Sequence, residues 1–112
     1  MAETVRIKNM PFSEAVPLAD LVEYQSGQVV SRTLAQNPAM SMTLFALDAG
    51  ESISTHITAG DALVYVLDGE VRLEIGEKQV PTAAGQATVM PAGIPHALYA
   101  EQRFKMLLVV VK

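Results

Sequence analysis

Two histidines, His56 and His96, are the only imidazoles in the chain, and both stand beside turn-forming stretches. His56 follows Gly50-Glu51-Ser52-Ile53-Ser54-Thr55, and His96 follows Pro91-Ala92-Gly93-Ile94-Pro95. Neighbouring strands of a closed barrel bring residues this far apart in sequence within bonding reach, and imidazole is the commonest metal ligand. A single histidine in a strand protein is usually a polar interior residue satisfied by hydrogen bonds or a water. Two beside such turns leave a shared ligand-binding site open as the alternative. Thr58 offers a hydroxyl next to His56, although a turn hydroxyl more often bonds its own backbone. Met42, Phe45, Met90 and Leu98 are the apolar residues expected to line that site. Other chemistries lack their residues. Without cysteine there is no disulfide, thiolate ligand or thiol nucleophile. There is no glycine-rich phosphate loop and no Gly-x-Ser-x-Gly turn. Nothing recommends a triad built on Ser52, Ser54 or Thr55.

The elements that must position the histidines read as short β-branched or aromatic runs between turn signals. These runs are Val29 to Thr33, Ser41 to Leu47, Ala62 to Leu67, Glu70 to Ile75, Ala87 to Met90, His96 to Ala100 and Phe104 to Val111. Strands at this spacing predict an all-β sandwich or barrel. Before them, Ser13 to Val22 has room for one helical turn around Leu18, Leu21 and Val22, limited by Pro17. Asp68-Gly69 predicts a type I′ hairpin that sets Val66 opposite Val71 and Val64 opposite Leu73. Alternation then puts Val64, Val66, Val71 and Leu73 on the interior face, with Ala62 pointing the same way. Arg72 and Glu74 take the other face, beside Leu63, Tyr65 and Leu67. Those three apolar residues need cover from the amino-terminal segment or from a second subunit, so a homodimer is expected.

A chain of 112 residues suits one domain over 1–112, with an arm at 1–28 and a barrel at 29–112. Half of the residues are apolar and 18% are charged, which calls for an ordered core. The net charge of −4 is spread without blocks, and no Lys/Arg cluster exists to follow a phosphate backbone or an anionic membrane. Neither nucleic acid nor membrane is therefore an expected partner. Residues 1–10 lack the apolar run of a signal peptide, and Met106 to Val111 is too short to span a bilayer. A cytoplasmic protein is the expectation.

The stretch from Gly50 through His56-Ile57-Thr58-Ala59-Gly60-Asp61-Ala62 to Asp68-Gly69-Glu70 resembles the first motif of the cupin superfamily. Gly85 followed by Pro91-Ala92-Gly93-Ile94-Pro95-His96 resembles the second. The resemblance covers residues 50–96 and implies a double-stranded β-helix, a small jelly-roll-like barrel. Cupins that hold a metal typically use three histidines and a glutamate. Here the resemblance carries over His56 and His96, while Thr58 stands in the second histidine's place and Ala62 in the glutamate's. The asparagine that follows the second motif is replaced by Ala100. Two imidazoles alone hold a metal weakly, because tight zinc sites use at least three protein ligands. Asp61 is the candidate third ligand if a bulge at Ala59-Gly60 turns it inward, making a set suited to Fe(II). Two functions stay open. One is a non-enzymatic barrel that binds a small molecule around His56, Thr58 and His96. The other is a metal-dependent enzyme of dioxygenase, isomerase or lyase type, with Fe, Mn, Ni or Zn held weakly on His56 and His96.

Overall fold

The computed structural model describes residues 6–112, so the first residues of the expected arm lie outside the described residues. Among the described residues nine strands follow one 3-10 turn at Leu18–Leu21, which starts directly after the extended Pro17. They are β1 (Val29–Asn37), β2 (Met40–Leu47), β3 (Ser52–His56), β4 (Asp61–Asp68), β5 (Glu70–Ile75), β6 (Lys78–Ala83), β7 (Ala87–Met90), β8 (His96–Tyr99) and β9 (Phe104–Val111). The strands form a five-stranded sheet ordered β1-β2-β9-β4-β7 and a four-stranded sheet ordered β3-β8-β5-β6. Every pairing is antiparallel. The fold is the all-β double-stranded β-helix, with its core between the sheets.

That core follows from alternation. Val64 and Val66 of β4, Val71 and Leu73 of β5, and Phe104 and Met106 of β9 are all buried between the sheets with Met90 and Leu98. Ala62 points into the same interior. The expected hairpin at Asp68-Gly69 is corrected. β4 pairs with β7 and β9, whereas β5 pairs with β6 and β8, so the chain changes sheets at Gly69. A type I′ turn needs positive φ at both central residues, and here only Gly69 has it. Gly69 is also pressed against the Arg103 carbonyl, where a Cβ would collide. The valines share the interior because each strand alternates, without facing one another across a ladder.

A second apolar cluster lies on the outer face of the larger sheet. Leu44 and Ala46 of β2 and Leu34 of β1 are covered by Val22, Leu18, Leu21 and Tyr24 of the amino-terminal segment. Arg32 donates to the Leu21 carbonyl at 2.9 Å, Lys105 to the Ala19 carbonyl at 2.6 Å, and the Tyr24 hydroxyl to Asp68 at 2.5 Å. The segment also covers Leu67. Leu63 and Tyr65 remain 36% and 38% exposed.

Candidate functional site

His56 reaches the interior through an irregularity in β3. Ile53 pairs with Leu98 and His56 with His96, so three steps along β3 match two along β8. Strict alternation from the inward Ile53 would turn His56 outward. The extra residue, a bulge at Ser54-Thr55, returns it to the interior side. The ring then takes up the bulge, its Nδ1 lying 2.8 Å from the Ser54 carbonyl. His96 opens β8 directly after Pro95, with its Nδ1 3.1 Å from the Ile94 carbonyl. It is 1% exposed, whereas His56 sits at the open rim.

The two rings meet at an angle of 75°, with Nε2 of one 3.1 Å from Nε2 of the other. Beneath them opens a cavity of about 220 Å³. Phe45, Thr58, Met90 and Leu98 line it with the histidines. Sequence reasoning did not name Val29, Ile53, Leu108 and Val110, which also line it, and Ala62, which it placed in the position of the family's glutamate, lines it too. Alternation from Phe104 and Met106 along β9 is the signal that would have found Leu108 and Val110. Burial is the main force that pushes His96 below the ordinary imidazole range, and the neighbouring His56 adds to it. The bond to the Ile94 carbonyl opposes both.

Two expected site residues stand elsewhere. Met42 lies on the outer face of β2, packed on the amino-terminal cluster, because residues three apart on a strand face opposite ways. Asp61 also faces away from the cavity. Its Oδ1 accepts the Ala92 backbone N–H at 2.8 Å, and the Thr58 carbonyl accepts the Gly93 N–H at 3.0 Å. Together these bonds tie the turn before His96 to the loop after His56. The bulge that positions a site residue is therefore at Ser54-Thr55, not at Ala59-Gly60. Gly60 has no room for a Cβ against the Val111 carbonyl.

The donor set does not suit a tightly held metal. Among the described residues no group of three His, Cys, Asp or Glu side chains converges anywhere. Asp61 is engaged with Ala92, and the Thr58 hydroxyl donates to the Gly60 carbonyl at 2.7 Å. Two imidazoles supply fewer than the three protein ligands that tight sites use.

The family model described as "Cupin domain" matches residues 43–112. Among solved structures, a conserved Streptococcus pyogenes protein of unknown function is 42% identical, with a TM-score of 0.95, over 99% of this chain and 97% of that one. A cupin superfamily protein from Desulfitobacterium hafniense is 34% identical, with a TM-score of 0.91, over 96% of this chain and 98% of that one. A curated, uncharacterised protein from Streptomyces coelicolor is 33% identical over 60 residues, 54% of this chain and 57% of its own length. The match thus spans little more than half of that relative. Among the described residues no helix is long and apolar enough to cross a membrane.

Proposed function

The chain belongs to the cupin domain family, and from that premise we propose that it binds a small organic molecule in the cavity beneath His56 and His96. One observation carries the reading. A cavity of about 220 Å³ is walled by Phe45, Met90, Leu98, Leu108 and Val110, and its polarity is gathered at the histidine end. Small-molecule sites have this build, an apolar hollow with a few convergent polar groups. A dry protein cavity of about 150 Å³ admits benzene, so this one has room for a substituted ring or a short chain. The metal-dependent enzyme is the weaker reading, because only two of the ligands it needs converge.

Titration with toluene, followed through the methyl resonances of Leu98, Leu108 and Val110, tests the proposal. Saturable shifts confined to these residues are expected, and Ala62→Leu, which adds bulk to the cavity wall, should weaken them at least about tenfold. Absence of shifts, or equal shifts in the variant, would refute it.

The reading includes a homodimer. Val109, Leu63 and Val89 lie side by side across β9, β4 and β7 on the outer face, with Tyr65 beside them, and Val89 is 52% exposed. A second copy is the partner proposed for this stripe. The absence of cysteine suits a reducing compartment, and we place the protein's action in the cytoplasm.

A further inference from the structure

The inner face of the larger sheet is apolar on β4 and β9 and changes character on β2 and β1. Val64 of β4 pairs with Leu108 of β9, Leu108 with Thr43 of β2, and Thr43 with Thr33 of β1. In the next row of the same face, Ala62 pairs with Val110, Val110 with Ser41, and Ser41 with Gln36. Paired residues point to the same side, so each row runs from the core out to hydroxyl or amide groups. Ser31, opposite Phe45, belongs to the same polar margin. Exposure rises in the same direction. Val64 and Ala62 are buried, Leu108, Val110, Thr43, Ser41 and Thr33 are half-buried, and Gln36 and Ser31 are exposed.

The rows start in the wall of the cavity. Phe45, Leu108 and Val110 line it, and Val29, its contribution from β1, is 40% exposed. The cavity therefore opens toward β1. A molecule seated in it extends from Leu108 over Thr43 and then Thr33, at about 5 and 10 Å. This margin differs from ordinary protein surface, which accepts Lys, Glu and Asp readily. No charged residue stands among Ser31, Thr33, Gln36, Ser41 and Thr43. Arg32, between Ser31 and Thr33, turns to the opposite face and donates to the Leu21 carbonyl. Hydroxyl and amide groups both donate and accept, so the margin matches neutral O–H groups and offers an ion no counter-charge.

From this we infer that the site takes two-part ligands. An apolar end, one ring or a short chain, fills the cavity, and an end bearing two or more neutral hydroxyls lies over β2 and β1, recognised by Thr43 and Thr33. The inference rests on the small-molecule reading above and names its ligand class. Thr33 and Thr43 stand directly opposite each other, so their hydroxyls reach neighbouring O–H groups of one molecule. Within the cavity the Thr58 hydroxyl is already committed to the Gly60 carbonyl at 2.7 Å, which leaves recognition of the polar end to the margin. Binding is non-covalent, and no proton changes owner.

Titration with 3-phenoxy-1,2-propanediol and with phenetole, which has the same ring and ether oxygen but no hydroxyl, tests this. Both are followed through the methyl resonances of Leu98, Leu108 and Val110. The diol should bind at least about fivefold more tightly, the gain from two neutral hydrogen bonds at half-buried positions. Thr33→Val/Thr43→Val keeps the branched shape and the strand preference while removing both hydroxyls. In that variant the advantage should fall below about twofold, with phenetole bound at least as well as before. Thr33→Ser/Thr43→Ser retains both hydroxyls and should retain the advantage. A diol bound no more tightly than phenetole, an advantage that survives the valine variant, or one lost in the serine variant overturns the inference and leaves the small-molecule reading standing. Binding of neither probe overturns both.

Discussion

Asp61 Oδ1 accepts the backbone N–H of Ala92 at 2.8 Å, which fastens the turn before His96 to the first residue of β4. The carboxylate therefore acts on the site from outside the cavity. Asp61→Ala should cost about 1–2 kcal/mol in urea unfolding, the range for a hydrogen bond to a charged group at an exposed position. Asp61→Asn keeps an acceptor oxygen and should recover much of that loss. Equal stability of wild type and Asp61→Ala would show that the bond does not hold the turn.

Stability should also depend on pH through His96. Its folded pKa is pushed below the unfolded value of 6.5, mainly by burial and then by His56. Between those two values the unfolded chain binds more protons than the folded one, so stability rises with pH there. The ligand-free protein should keep its full stability above about pH 6.5 and lose up to about 1.4 kcal/mol per pH unit below it. Asp48, held low by the backbone N–H groups of Gly27 and Ala49, acts in a separate window. Its contribution is present above its ordinary value of 3.8 and is lost as pH falls below it. Urea midpoints measured from pH 8 to pH 5 check the histidine contribution, and a flat profile there would contradict it.

Restoring the missing ligands tests the inward direction of β4. Ala62 is buried and lines the cavity beside Thr58. Thr58→His with Ala62→Glu should raise divalent-metal affinity at least about tenfold over the wild type, measured by competition with a chromophoric chelator. The same variant without metal should be less stable by several kcal/mol, on the order expected for a buried carboxylate without a partner. No gain in affinity would mean that the two positions do not converge on the histidines.

The outer stripe predicts assembly. Leu63→Asp places a charge among Val109, Val89 and Tyr65 without entering the core. Light scattering should report a dimer for wild type at micromolar concentration and a monomer for this variant. A monomeric wild type would remove the second copy from the account.

Much of this was legible in the residue pattern, for a physical reason. β4, β5, β7 and β9 are rich in β-branched and other apolar residues, so their existence follows from composition, and the inward faces assigned on β4 and β5 follow from the two-residue period of a strand. β3 and β6 did not stand out as strands. They are the edges of the smaller sheet, and Ser52-Ile53-Ser54-Thr55-His56 and the Pro81-containing Lys78–Ala83 have the polar character edges tolerate. The Asp-Gly signal at 68–69 marked a real turn. A local rule cannot say that the strands it joins belong to different sheets. Met42 was separable from Phe45 by alternation alone. The direction of His56 was not, because it depends on the bulge at Ser54-Thr55.

The arrangement at the centre of this account is an apolar cavity closed at one end by His56 and His96, with each Nδ1 held on a backbone carbonyl. The most direct measurement is titration with toluene, followed together in the methyl resonances of Leu98, Leu108 and Val110 and in the ring resonances of the two histidines. Saturable shifts of these groups, with the rest of the spectrum unchanged, are the predicted result. No saturable shift, or shifts spread over the outer faces of the sheets, would contradict the account.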